Sequence, residues 1–146
     1  MPKEYDPRMH SAEHILNQTM VRMFNTGRSF RAHIEKKKSK CDYRFNRNLT
    51  EDEIRKLENK VNEVIGKNLQ VKEEFYTLEE AKTFVDTSKL PPNVGEKIRI
   101  IKIGDYDACP CIGQHVSETG EIGRFKIVST DYNDGVLRIR FKLGSI

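Results

Sequence analysis

Near its C-terminal end the chain carries two alternating runs, Arg124 to Tyr132 and Val136 to Leu143, separated only by Asn133-Asp134-Gly135. No other feature limits the fold so sharply. A short Asn/Asp/Gly turn joins antiparallel neighbours, whereas a parallel partner needs a crossover of about a dozen residues or more. Alternation also gives such a pair one buried face and one wet face. "SFRAHIEKK" and "KCDYRFN" repeat the hairpin pattern nearer the start, and "LQVKEEFYT" and "KIRIIKIG" read as further strands.

The dry face of such a sheet needs cover, and three segments have helical periodicity. From Pro7 to Asn25, the residues Ala12, Ile15, Leu16, Met20, Met23 and Phe24 recur at helical spacing, with Asp6-Pro7 as the start and Gly27 as the stop. "LTEDEIRKLENKVNEVIGKN" is the clearest helix. Thr50 and Glu53 form a capping box, Ile54, Leu57, Val61, Val64 and Ile65 line one face, and Gly66 ends it. "TLEEAKTFV" repeats the capping box with Thr77 and Glu80, and "LPPNVGE" reads as a turn. The expected architecture is α+β: a mostly antiparallel sheet with helices packed on one side, forming a single domain over residues 1–146.

Composition narrows the environment. No apolar run approaches the ~18 residues of a membrane span, and "MPKEYDPRMH" is too polar for a signal peptide. Three cysteines, an odd number, do not make a disulfide framework, so the chain reads as cytoplasmic with reduced thiols. The net charge of +4 is mild, but Lys36 to Lys40 form a basic run followed by Arg44 and Arg47.

Two short spacings carry the chemistry. His10 and His14 lie one helical turn apart, so both imidazoles can address one point. Cys111 and His115 offer a thiolate and an imidazole across a turn containing Gly113, and only His33 of the four histidines is left over. One sulfur and three nitrogens suit tetrahedral zinc. On spacing, Cys111 is the ligand, and Cys109 and Cys41 are packing residues. "HSAEH" also satisfies the pattern of the inverted zinc peptidases, with Glu13 as base, but that reading leaves Cys111 to Ile127 unexplained.

The motifs "HSAEHIL", "SKCDYRF", "CIGQHVSETGEIGRFKI" and "DGVLRIRFKL" together resemble the editing domains of alanyl-tRNA synthetases and their free-standing relatives, the AlaX-type trans-editing proteins. The resemblance runs in order from about residue 8 to residue 143, and the related editing domain of threonyl-tRNA synthetase shares the two paired spacings. The resemblance implies the short form of AlaX, with His10, His14, Cys111 and His115 holding zinc. It further implies a deacylase that acts in trans on the acceptor end of mischarged tRNA, clearing serine from alanine tRNA. Gln114 stands where alanine-type domains often carry threonine and threonine-type domains proline, so serine on threonine tRNA is the alternative substrate.

Selectivity has a physical rule. A site that hydrogen-bonds a hydroxyl rejects the analogue lacking it by about 10⁴–10⁵, because its polar groups are then left unpaired. Gln114, Thr119 and Asn17 are the candidate hydroxyl readers, each equally suited to structural hydrogen bonds. Gly120 and Gly123 would let backbone approach the terminal adenosine, or would serve a turn. Lys36, Lys37, Lys38 and Arg44 would contact acceptor-stem phosphates, while the same lysines would also serve as a solvated strand edge. The catalytic group itself is not legible in the sequence. A non-catalytic tRNA-binding domain with structural zinc remains as a third class.

Overall fold

The computed structural model describes residues 6–88, 90 and 97–144. The first helix, α1 (Pro7–Phe24), starts where Asp6 accepts a hydrogen bond from the Met9 amide at 3.1 Å. It ends at Asn25 rather than Gly27. Asn25 takes the left-handed conformation at φ 56° and its amide donates to Val21 O, a role asparagine fills with little strain. Strands β1 (Arg31–His33) and β2 (Ser39–Arg44) form the expected N-terminal hairpin, though β1 is far shorter than its sequence run.

Helix α2 (Glu51–Gly66) carries the capping box of Thr50 and Glu53. The left-handed residue lies beyond Gly66, at Asn68, whose side chain donates to Glu118 and accepts from the Gly120 amide. After it come β3 (Val71–Tyr76), the short α3 (Leu78–Ala81) behind the Thr77 capping box, and β4 (Ile98–Ile103). Pro91 to Glu96 of the expected "LPPNVGE" turn lie outside the described residues. Strand β5 (Asp107–Pro110) has no clear sequence pattern, being four residues closed by a proline. A single 3-10 turn (Thr119–Ile122) precedes the closing hairpin of β6 (Phe125–Asn133) and β7 (Val136–Leu143).

Every strand pairing is antiparallel, and the strands divide between two sheets. The larger has the order β1-β2-β7-β6 and the smaller β3-β4-β5. Alternation marks each strand but does not say which distant strand it joins, so periodicity alone merges the two sheets into one. The inner face of the larger sheet contributes Cys41, Tyr43, Phe125, Leu137, Ile139 and Phe141 to one core. Helix α1 adds Met9, Ala12, Ile15, Leu16 and Met20, and α2 adds Leu57, Val61, Val64 and Ile65. Each side chain fully buried there contributes roughly 1.5–3 kcal/mol. A satellite cluster of Ala81, Ile98 and Ile100 holds α3 to the smaller sheet. Helix α1 packs against both α2 and β5, with His14 and Gln18 meeting Asp107 at the start of β5.

Candidate metal centre

Two turns of α1 and the loop after β5 converge. His10 and His14 are almost fully buried, and the ligand atoms of His10, His14, Cys111 and His115 all lie within 4.8 Å of one another. Cys111 Sγ stands 3.4 Å from His10 Nε2. The His10 ring stacks on His115 at 4.3 Å between centroids, and His14 meets both edge-on at 5.0 and 4.5 Å. Three imidazoles packed this tightly around one sulfur form a donor set, not an apolar contact.

Local bonds orient each ring. His10 Nδ1 donates to the Gln114 carbonyl at 3.2 Å, which leaves Nε2 directed at the sulfur. His115 Nδ1 is hydrogen-bonded to Ser11 Oγ at 3.1 Å, and that hydroxyl also accepts from the Val116 amide. His14 Nδ1 lies 3.6 Å from Asp107 Oδ2, beyond hydrogen-bond length but within electrostatic reach. Metal-binding histidines have this pattern: one nitrogen held by a carbonyl, hydroxyl or carboxylate, the other available to the ion. Among the described residues two buried ring nitrogens make no hydrogen bond, His14 Nδ1, which faces Asp107, and His115 Nε2, which is the strongest sign of fit. A buried polar atom without a partner is costly, and a metal ion at the centre of the four donors would satisfy it. The cluster can bind a metal ion.

Charge favours the same conclusion. Burial alone would push the Cys111 thiol up, but the surrounding His10, His115 and His14 imidazoles hold it down to about 3, so it is a thiolate at neutral pH. Burial would lower His14, yet Asp107 and Cys111 raise it to about 9. Burial dominates at His115 and lowers it to about 4. Asp107, against its own burial, is held down to about 2 by His14 and Arg28. Its side chain is fully enclosed and accepts from Arg28 at 2.7 and 3.3 Å and from Gln18 at 2.9 Å.

Backbone geometry fixes the loop. Arg99 Nη1 donates to the carbonyls of Cys111 and Gly113 at 2.9 and 2.8 Å, while its Nε donates to Glu73. A Cβ on Gly113 would fall on the His10 ring, 2.5 Å from Nδ1, so the loop passes over His10 only because the residue is glycine. Farther along, the Val71 amide donates to Ser117 O and the Thr119 amide to Leu69 O, tying the loop to the start of β3. Ser11, Arg28, Arg99 and Asp107 were not singled out by sequence. Asp107 and Arg99 become visible only once β5 is paired with β4, while Ser11 lay in plain view inside "HSAEH".

The other candidates are more dispersed. The Cys109 thiol donates to Pro110 O, stands outside the four-residue donor set and is pushed up to about 11 by burial, while Cys41 is fully buried. Gln114 serves the cluster through its carbonyl, and its side chain is exposed. Asn17 Oδ1 accepts from Tyr43 OH at 2.7 Å and from the Ser29 amide at 3.2 Å. Thr119 is wholly buried; its hydroxyl accepts from the Leu69 amide and donates to Ile65 O, pinning the loop to the end of α2. Gly120 binds Asn68 through its amide, and Gly123 takes a positive φ of 87°. Lys36, Lys37 and Lys38 are exposed in the turn between β1 and β2, and the exposed Arg44 guanidinium lies 4.0 Å over the Phe30 ring. These cations belong to the edge hairpin of the larger sheet, not to the cluster.

Comparison with known proteins agrees with this geometry. Residues 98–140, which span β4 to β7 and include Cys111 and His115, match the family described as the threonyl and alanyl tRNA synthetase second additional domain. Alanine–tRNA ligase of Fervidobacterium nodosum is 37% identical over 134 residues, covering 90% of this chain and 16% of that protein. The Carboxydothermus hydrogenoformans and Aeropyrum pernix enzymes of the same name are 32% and 34% identical, each over 142 residues, 94% of this chain and 16% of the relative. The chain therefore spans only a small part of the length of these relatives. The matches extend over 90–94% of this chain and support an AlaX-like editing domain related to that of alanyl-tRNA synthetase.

Proposed function

We propose that residues 1–146 act as one aminoacyl-tRNA deacylase domain that binds zinc through His10, His14, Cys111 and His115 and hydrolyses seryl-tRNA specific for alanine in trans. The observation that carries this reading is the convergence of the four donors, with His10 and His115 held through their second nitrogens and His14 facing Asp107. Its relatives are named alanine–tRNA ligases, and the family that residues 98–140 match is a synthetase domain, which supports a tRNA acceptor end as the partner.

An aminoacyl ester is already activated, so its hydrolysis needs positioning and modest electrostatic help rather than a strong nucleophile. Zinc held by this donor set supplies Lewis-acid polarisation of a carbonyl or a more acidic water. The chain's own residues do the rest. Gln114 O, Ser11 Oγ and Asp107 keep the imidazoles in register, and Arg99 holds the loop that carries Cys111. Asn17 spends its carbonyl oxygen on Tyr43 and Ser29, leaving its amide N–H groups to read the serine hydroxyl. Gln114 presents an exposed amide beside the cluster for the same purpose. Lys36, Lys37, Lys38 and Arg44 supply phosphate contacts that set affinity without reading sequence.

The test is a panel of charged tRNAs: seryl, glycyl and alanyl esters on alanine tRNA, and the seryl ester on threonine tRNA. The expected result is loss of serine from alanine tRNA with the alanyl ester spared. Rapid loss of alanine would defeat the specificity, and clearance from threonine tRNA alone would move the protein to the threonyl type. One observation favours a second reading: four protein donors fill a tetrahedron, the arrangement of structural zinc. Bound zinc with no ester cleaved would establish that reading instead.

A further inference from the structure

Three carboxylates near the core differ in how they are compensated. Asp107 is met by Arg28, Gln18 and His14, and Asp42 by Arg31 and Arg138. Among the described residues Glu13 has no such arginine or amide partners. Its side chain is 13% exposed, and its only ionisable neighbour within 4 Å among the described residues is His10, whose Nε2 stands 3.8 Å away. No described donor gives it a hydrogen bond. A carboxylate so shielded is costly to leave without a counter-charge.

Its position is informative. On α1, Glu13 comes three residues after His10 and four before Asn17, so it lies between the donor cluster and the Asn17 amide. Its negative charge acts on Cys41 and Tyr43 of β2, on Cys109 of β5 and on Arg28. The carboxylate is thus within electrostatic reach of residues of both sheets. Arg28, the cation of that set, is committed to Asp107 in a two-pronged contact.

We infer that Glu13 is the acceptor for the α-ammonium group of the substrate, holding it beside the cluster of His10, His14, Cys111 and His115. This rests on the reading of the site as one for aminoacyl esters. The chemistry matches: in an aminoacyl ester the ammonium carbon is bonded directly to the scissile carbonyl carbon, so a carboxylate that fixes one places the other. It also defines a substrate class. Esters with a free amine are accepted, while hydroxyacyl esters and N-acylated ends, peptidyl-tRNA among them, lack the cation and are disfavoured. Glu13 is a positioning and specificity residue in this account and takes no proton.

The test uses two non-hydrolysable analogues of a seryl-adenosine terminus, with an amide replacing the ester, one bearing the α-ammonium and the other an α-hydroxyl. Binding to the zinc-loaded protein is measured by calorimetry at pH 6.5, below the ordinary α-amino range of about 7.7–8.0. The wild type is expected to prefer the ammonium analogue by on the order of 10–100-fold, the range for a charged hydrogen bond. Glu13→Gln should abolish most of that preference while leaving zinc content and the hydroxyl analogue's affinity unchanged, and Glu13→Asp should restore part of it. An unchanged preference in Glu13→Gln would overturn the assignment alone. Loss of zinc from Glu13→Gln would make Glu13 a metal ligand and would likewise overturn it. Failure of the wild type to bind either analogue would overturn the aminoacyl-ester reading and this inference with it.

Discussion

Gly113 shows how one missing carbon supports the centre. Any Cβ there would overlap the His10 ring, and the loop is already held by two carbonyl bonds from Arg99. Gly113→Ala is therefore expected to displace His10 and weaken zinc binding by at least tenfold in a chelator-competition titration, with the far-ultraviolet circular dichroism unchanged. Unaltered zinc affinity would show that the loop yields instead. The two neighbouring cysteines separate just as cleanly. Cys111→Ala should lose most of the bound zinc and Cys109→Ala little, measured by elemental analysis, because Cys109 lies outside the donor set. At this scale the four clustered donors were legible because helical spacing and a short turn each place two of them together. Ser11 and Asp107 were not: what they hold is set by tertiary approach across 104 and 93 residues of chain, which no local pattern encodes. Thr119 was legible as a polar residue in the right loop, but its burial under α2 was not.

Among elements, the edge hairpin and the outer face of the larger sheet carry the charge. Register places Arg31, Asp42, Arg138 and Asp131 in one row across that face and His33, Lys40, Arg140 and Ser129 in the next. Hydrogen bonds from Arg138 and Arg31 hold the Asp42 carboxyl below its ordinary 3.8 despite its burial. Since the folded value is the lower one, its charge stabilises the fold above about pH 3.8, and that contribution drains away as pH falls through the depressed folded value. Asp42→Asn should thus lower the melting temperature at pH 7, with the gap to wild type closing under strongly acidic conditions. A gap independent of pH would mean that packing, not charge, is lost. Replacing Lys36, Lys37 and Lys38 by alanine should weaken tRNA binding at every sequence. Each lost phosphate contact should reduce the slope of log affinity against log salt by about 0.7–0.9. An unchanged slope would assign the lysines to the solvated edge alone. The hairpins themselves were plain in the sequence, since turn residues and alternation are local. The short β5 was not, and with it went the pairing that brings Asp107 beneath His14 and Arg99 over the Cys111 loop.

In the whole molecule, α1 joins the two halves of the site. Its buried stripe packs into the core of the larger sheet, while His10 and His14 face the loop leaving the smaller one. The metal would therefore tie segments about 100 residues apart in sequence, and occupancy should stabilise the fold by mass action. A hundredfold excess of zinc over its dissociation constant contributes about 2.7 kcal/mol, or a rise of roughly 5–11 °C for a domain of about this size. The α+β class was legible from helical and strand periods alone; the division into two sheets was not. The most direct measurement is hydrolysis of seryl-tRNA specific for alanine by metal-stripped protein as zinc is added back in equivalents. The account predicts negligible hydrolysis without metal, a linear rise that saturates at one zinc per chain, and no recovery in His10→Ala or Cys111→Ala. Full hydrolysis by the stripped protein, or saturation with zinc without any hydrolysis, would contradict it.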